Sequence, residues 1–155
     1  MFLRGLGKEL IKYMIKMNNM RLTKNFELNE FIRSRFFDEK TQKKVLESFE
    51  ENKDVLLPNI QKLANQLQVL RDYFNSPIII NIAYRPKWYE LEKGRSGNSK
   101  HTLGIAADFN VKNKTPKEVR EAIEELILKG EMLQGGLGKY DNFVHYDIRG
   151  NRARW

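Results

Sequence analysis

The side chains best suited to chemistry in this chain are two histidines, His101 and His145, and the carboxylates near them. They are the only histidines, and cysteine is absent. Any metal site must therefore be built from imidazole and carboxylate, without thiolates. His101 lies in Asn98-Ser99-Lys100-His101-Thr102-Leu103-Gly104-Ile105-Ala106-Ala107-Asp108, and His145 in Asn142-Phe143-Val144-His145-Tyr146-Asp147-Ile148-Arg149. Neither sits on an apolar helix face. One such histidine alone is usually an incidental surface residue. Two with one carboxylate make a three-ligand set for catalytic zinc, leaving a fourth position for water.

Those residues need particular elements to bring them together. The step from His101 to Asp108 is too long for one helical turn, which predicts a turn followed by a strand carrying Asp108 back. Gly104, Ala106 and Ala107 between them permit close packing. From Phe143 to Ile148, period-two alternation puts His145 and Asp147 on one face, with Val144, Tyr146 and Ile148 on the other. Ile78 to Ile82 is a β-branched run typical of a buried strand, and Leu133 to Leu137 reads as another. Helices are expected over Phe26 to Arg35 and Thr41 to about Asn52. A main core helix is expected over Val55 to Phe74, where Leu56, Ile60, Leu63, Leu67, Leu70 and Phe74 share one face and Pro58 falls in the first turn. Thr115-Pro116-Lys117-Glu118 is a helix start with a capping box, and Gly130 a helix end. Ala83 to Lys100 is polar, carries Pro86, Gly94 and Gly97, and is expected to be an exposed loop. The fold predicted is a small α+β domain, an antiparallel sheet with the metal site on one face and helices on the other.

At this point the sequence resembles a known family. Ser99-Lys100-His101-Thr102-Leu103-Gly104-Ile105-Ala106-Ala107-Asp108 is similar to the Ser-x-His-x-x-Gly-x-Ala-x-Asp motif of the zinc D-alanyl-D-alanine carboxypeptidase-like (M15) peptidases. Phe143 to Gly150 resembles their closing strand with the second histidine, and Ile82-Ala83-Tyr84-Arg85-Pro86 their substrate-binding Tyr-Arg segment. Gly135 to Tyr140 and the final Arg152-Ala153-Arg154-Trp155 look like the subgroup of phage lysins and murein endopeptidases. The resemblance runs from about Leu22 to Trp155. It implies that His101, Asp108 and His145 bind zinc and that Arg85 holds a substrate carboxylate or oxyanion, against the plain alternative of a surface ion pair. Ser99 would order the loop or touch substrate, and Tyr84 would contact substrate or simply pack. Many relatives carry a general-base carboxylate three residues before the last histidine, where this chain has Asn142, which cannot accept a proton in that way. The base is then open between Asp141, one residue earlier, and Asp147, whose other role would be to orient a ligand histidine.

The implied reaction is zinc-dependent hydrolysis of a peptide bond in peptidoglycan stem peptides; the alternative is a zinc-containing wall-binding or virion structural domain that does not hydrolyse. Of the 155 residues, 41% are hydrophobic and 31% charged, as in an ordinary globular chain. The net charge of +8 favours an anionic partner such as a cell-wall polymer, unless the lysines are simply solvated helix faces. Nucleic acid is not expected, because no recognition motif accompanies the charge, and a monomer is. Residues 1–21 read as an extension or a basic amphipathic helix ahead of a domain over 22–155. They lack the apolar core and cleavage site of a secretory signal, and no stretch is long enough to span a membrane. The expected history is synthesis in the cytoplasm and action in the periplasm or wall after release, as for a phage-encoded lysin.

Overall fold

A computed structural model of the chain describes residues 9, 10, 12, 13, 16 and 19–155. Most of the N-terminal segment read as an amphipathic helix lies outside them. Helix α1 (Leu28–Ile32) is followed by α2 (Glu39–Glu51) and α3 (Lys53–Phe74), then strand β1 (Ile78–Ile82). After β1 come α4 (Lys87–Glu92), a 3-10 turn (Lys100–Leu103), β2 (Ala106–Val111) and α5 (Pro116–Leu128). Strands β3 (Gly136–Lys139), β4 (Val144–Asp147) and β5 (Ala153–Arg154) complete the fold. The sheet order is β1-β2-β4-β3-β5.

Local signals account for most of these boundaries. Asp38 caps α2 by accepting from the Thr41 N–H, and Thr115 and Glu118 form the reciprocal capping box of α5. Asn75 ends α3 in the left-handed conformation at φ 46°. The stripe Leu56, Ile60, Leu63, Ala64, Leu67 and Leu70 is fully buried. It joins Phe109, Val111, Val144 and Tyr146 from one sheet face, and Val119, Ile123 and Leu126 from α5, in a single core. That leaves the opposite face of β2, β3 and β4 free to carry polar groups. None of the described helices is long and apolar enough to cross a membrane.

Four expectations need correction. The sheet is mixed, since β5 runs parallel to β3 while the other three pairings are antiparallel. The chain turns back after β4 around Gly150 at φ 93° and passes along the outer edge of β3, in the direction of β3. Ala83 to Lys100 contains α4, whose Tyr89 packs edge-on against Phe37 with ring centroids 5.0 Å apart, and whose Glu90 is buried. Flanking proline and glycine hide this short helix, which tertiary packing holds. Strand β3 starts at Gly136, later than the apolar residues suggested. Pro58 lies inside α3, because the helix begins at Lys53 directly after α2, so its missing N–H leaves one carbonyl of the preceding turn without an intrahelical partner.

Helix α3 backs the 3-10 turn that carries His101: the Asn59 side-chain amide donates to the Leu103 carbonyl at 2.9 Å. Gly104, at φ 73°, packs against Leu56 and Ile60. Truncating the helix stripe should be felt throughout the molecule. Leu63→Ala is expected to lower unfolding stability by ~2–5 kcal/mol in urea titration; a loss below ~1 kcal/mol would show that this core collapses around the cavity.

Candidate metal centre

Register assembles the site. Antiparallel pairing of β2 with β4 places Asp108 opposite His145 and Ala106 opposite Asp147. Pairing of β3 with β4 places Gly138 opposite His145 and Gly136 opposite Asp147. His101 comes from the 3-10 turn, which Ser99 caps by accepting from the His101 N–H at 3.1 Å. The donor atoms of His101, Asp108 and His145 all lie within 4.8 Å of one another.

The two imidazoles are fixed in opposite senses. His101 Nδ1 is 2.7 Å from the Ala83 carbonyl, which can only accept, so Nδ1 carries the proton and Nε2 faces Asp108 Oδ1 at 3.2 Å. His145 Nε2 is 2.8 Å from Asp147 Oδ2, leaving Nδ1 toward Asp108 Oδ1 at 2.9 Å. His101 therefore offers Nε2 and His145 offers Nδ1. Each remaining ring nitrogen is held by an oxygen acceptor, the arrangement that fixes tautomer and raises basicity in metal-binding histidines. Three oriented donors of this kind fit a divalent metal such as zinc.

Asp147 is fully buried and its oxygens are committed. Oδ1 accepts from the Gly136 N–H at 2.9 Å and from Arg149 Nε at 2.8 Å, and Oδ2 accepts from Arg149 Nη2 at 2.8 Å as well as facing His145. Burial alone would raise its pKa; the Arg149, His145 and Gly136 hydrogen bonds outweigh that and hold it well below the usual carboxylate range. Asp108 behaves alike, burial being overcome by hydrogen bonds from His101 and His145. For His145, burial opposes the charged form, but the Asp108 and Asp147 carboxylates prevail and push it above its ordinary value.

The cluster opens into a cleft of two connected bays, both bordered by Arg85, Arg95, Asp108 and Phe143. The first, about 580 Å³, adds Ser99, His101, His145, Tyr140, Arg149 and Trp155. The second, about 600 Å³, adds Arg35, Asn81, Lys93, Asn110 and Asn142. A larger cavity, about 910 Å³ and lined by Leu10, Arg33 and Ile79 among others, holds no member of the cluster. Donor chemistry, not size, marks the candidate cleft.

Arg85 and Ser99 both reach it. Arg85 Nε pairs with buried Glu90 at 3.1 Å, and Arg85 Nη2 approaches Ser99 Oγ at 3.4 Å. Tyr84 does not: it is 3% exposed and packs on Phe49 in the core, where burial and then Glu51 push its hydroxyl up to about 12. Asp141 is exposed in the β3–β4 turn and lines neither bay, whereas Asn142 lines the second.

Sequence reasoning missed an aromatic wall. The Trp155 ring lies 4.9 Å from that of His145, its Nε1 donates to Tyr140 Oη at 2.9 Å, and Tyr140 stacks on Phe143 at 4.4 Å. The alternate glycines of β3 were the available signal. A Cβ on Gly136 would overlap the Asp147 carboxylate, and one on Gly138 would come within 2.8 Å of Trp155 and Tyr140.

The sequence model of the peptidase M15 family matches residues 24–147. This chain belongs to the M15 peptidase family. It is accordingly a hydrolase by descent, and the His-Asp-His cluster lies within the matched segment. No curated protein matches the sequence.

Two outcomes follow from the geometry. Asp147→Asn should weaken zinc binding ~10–100-fold in chelator competition, because it loosens His145 without removing a ligand; unchanged affinity would leave Asp147 a purely structural role. The metal-free cluster should also set a pH window. The Asp108 and Asp147 contributions, with lowered pKa values, are present above ~pH 4 and lost as acid protonates them. The His145 contribution, with a raised pKa, is complete below ~pH 6.5 and fades as pH rises through its folded value. Metal-free stability should thus be greatest between those limits, while zinc affinity climbs above them as the proton leaves. Thermal melts across pH, with and without zinc, test both halves.

Proposed function

We propose that this M15 peptidase hydrolyses a peptide bond in peptidoglycan stem peptides, with zinc held by His101 Nε2, Asp108 and His145 Nδ1. The observation that carries this reading is the pair of oppositely oriented imidazoles, each backed by a buried acceptor, on either side of one carboxylate. Zinc bound there supplies Lewis acidity, polarising a scissile carbonyl and making water a usable nucleophile near neutral pH.

The chain's own side chains do the rest. Arg85, steadied by Glu90, presents its remaining guanidinium N–H groups to a carboxylate or developing oxyanion of the substrate. Ser99 holds both the Arg85 guanidinium and the His101 turn. Asp147, with its oxygens engaged, orients His145. With Asp147 engaged, Asp141, next to Asn142 in the exposed β3–β4 turn though lining neither bay, is the proton acceptor in this reading, taking a proton from water and returning it to the leaving amine. The protein would act on the wall after release from the cell that makes it, in the manner of a phage lysin. The cationic surface suits such an acidic polymer.

One observation favours a second reading. Among the described residues Asp108 is the only carboxylate lining either bay, so a wall-binding or virion structural domain that holds zinc without hydrolysis is the competitor. The test is release of new amino groups from purified sacculi, alongside zinc content. Wild type should cleave and hold one zinc, and His101→Ala and Asp108→Ala should do neither. Asp141→Asn should keep the metal and lose ~10²–10⁴-fold in kcat. Equal activity in wild type and Asp108→Ala would end the hydrolytic mechanism. Full zinc occupancy with wall binding and no cleavage would establish the competitor.

A further inference from the structure

Both bays of the cleft are cationic, sharing Arg85 and Arg95 beside Asp108. The first adds Lys100 and Arg149 with the aromatic Tyr140 and Trp155. The second adds Arg35 and Lys93, and among the described residues Asp108 is the one carboxylate in its lining. Arg85 already has Glu90, but among the described residues Arg35, Lys93 and Arg95 have no ion-pair partner. Asp38, the acid closest in sequence to Arg35, is occupied in capping α2.

These cations are exposed at the bay, and two of them lie over aromatic rings. The Arg35 guanidinium lies 4.9 Å from the Phe36 ring centroid, and Lys93 Nζ lies 5.4 Å from that of Tyr89. The Arg95 backbone is tied to the Glu90 carbonyl at 2.9 Å. Between them runs a row of amides: Asn81 Nδ2 donates to Asn110 Oδ1 at 2.8 Å, and Asn110 Nδ2 donates to the Asn142 carbonyl at 2.7 Å. Asn81 is 7% exposed and anchors this row at the inner end, while its Asn142 end is exposed. A neutral Asn142 also leaves the bay's positive field undiminished, where a carboxylate would offset part of it.

We propose that the second bay is a subsite for an acidic peptide segment, in which Arg35 and Arg95 grip a free carboxylate of the substrate beside the bond to be cut. Planar guanidinium groups pair with carboxylates through two parallel hydrogen bonds, and the amide row suits a peptide backbone. Deepening the peptidoglycan reading, this subsite selects stem peptides whose side-branch carboxylates are free over those in which they are amidated.

Binding to the metal-free protein separates the subsite from hydrolysis. A synthetic stem tetrapeptide with free carboxylates and its fully amidated counterpart are titrated calorimetrically at low salt. The acidic peptide should bind at least ~10-fold tighter. The double variant Arg35→Gln, Arg95→Gln should lose most of that preference, whereas Lys112→Gln, an exposed cation lining neither bay, should keep it. All three side chains are exposed, so folding is not at stake, and matching melting temperatures check this. Equal affinities for the two peptides, a preference that survives the double variant, or no binding of either peptide overturns the subsite. So does displacement by a glycerol phosphate oligomer more effectively than by the acidic peptide, which would assign the bay to phosphate. Preferential binding without cleavage would leave the subsite standing and remove the hydrolytic reading; cleavage without preference would do the reverse.

Discussion

Everything at the candidate site hangs on the register of β2 against β4. Asp108 and His145 face one another across that antiparallel pair, and the same register sets Asp147 beside Gly136. Because side chains alternate, a slip of one residue would send both His145 and Asp147 into the core and Val144 and Tyr146 into the cleft. The core forbids this. Phe109, Val144 and Tyr146 are completely buried on the opposite face, and moving them to water would forfeit several kcal/mol of apolar burial. The hydrophobic face thus secures the chemistry of the polar one.

Burying charge behind a metal site is expensive unless each charge is answered. Here Asp147 is answered by Arg149, by the Gly136 N–H and by His145. Arg149 in turn lies 5.4 Å from the Trp155 ring, which packs on His145. The result is a closed set of contacts: Asp147 orients His145 from behind, and Trp155 limits it from the side. The glycines of β3 exist in this context because neighbours fill the space a side chain would need. His101 is secured independently through Ala83, at the end of a different strand.

Much of this was readable in the sequence. Two histidines and no cysteine bounded the ligand chemistry. Alternation in Phe143 to Ile148 put His145 and Asp147 on one face, and the Thr115 capping box and the Leu56 to Leu70 stripe located two helices. What escaped was whatever depends on distant packing. Helix α4 is six residues long and is held by Phe37, far away in sequence, and by Arg85 just ahead of its first turn, and neither contact leaves a periodic signal. Strand β5 is two residues long, and its parallel pairing follows only from where the chain turns at Gly150. Tyr84 neighbours Arg85 in sequence, yet the backbone there sends one side chain into the core and the other into the cleft. Carbonyl partners such as Ala83 carry no residue-type signature at all.

The central claim is that the two imidazoles are pre-set to present different nitrogens to one ion. Anomalous diffraction at the zinc edge, from crystals grown with zinc, tests it directly. The prediction is a single ion ~2.0–2.2 Å from His101 Nε2, His145 Nδ1 and an Asp108 oxygen, with His145 Nε2 still bonded to Asp147. An ion bound through His145 Nε2, or seated away from these three residues, would contradict it.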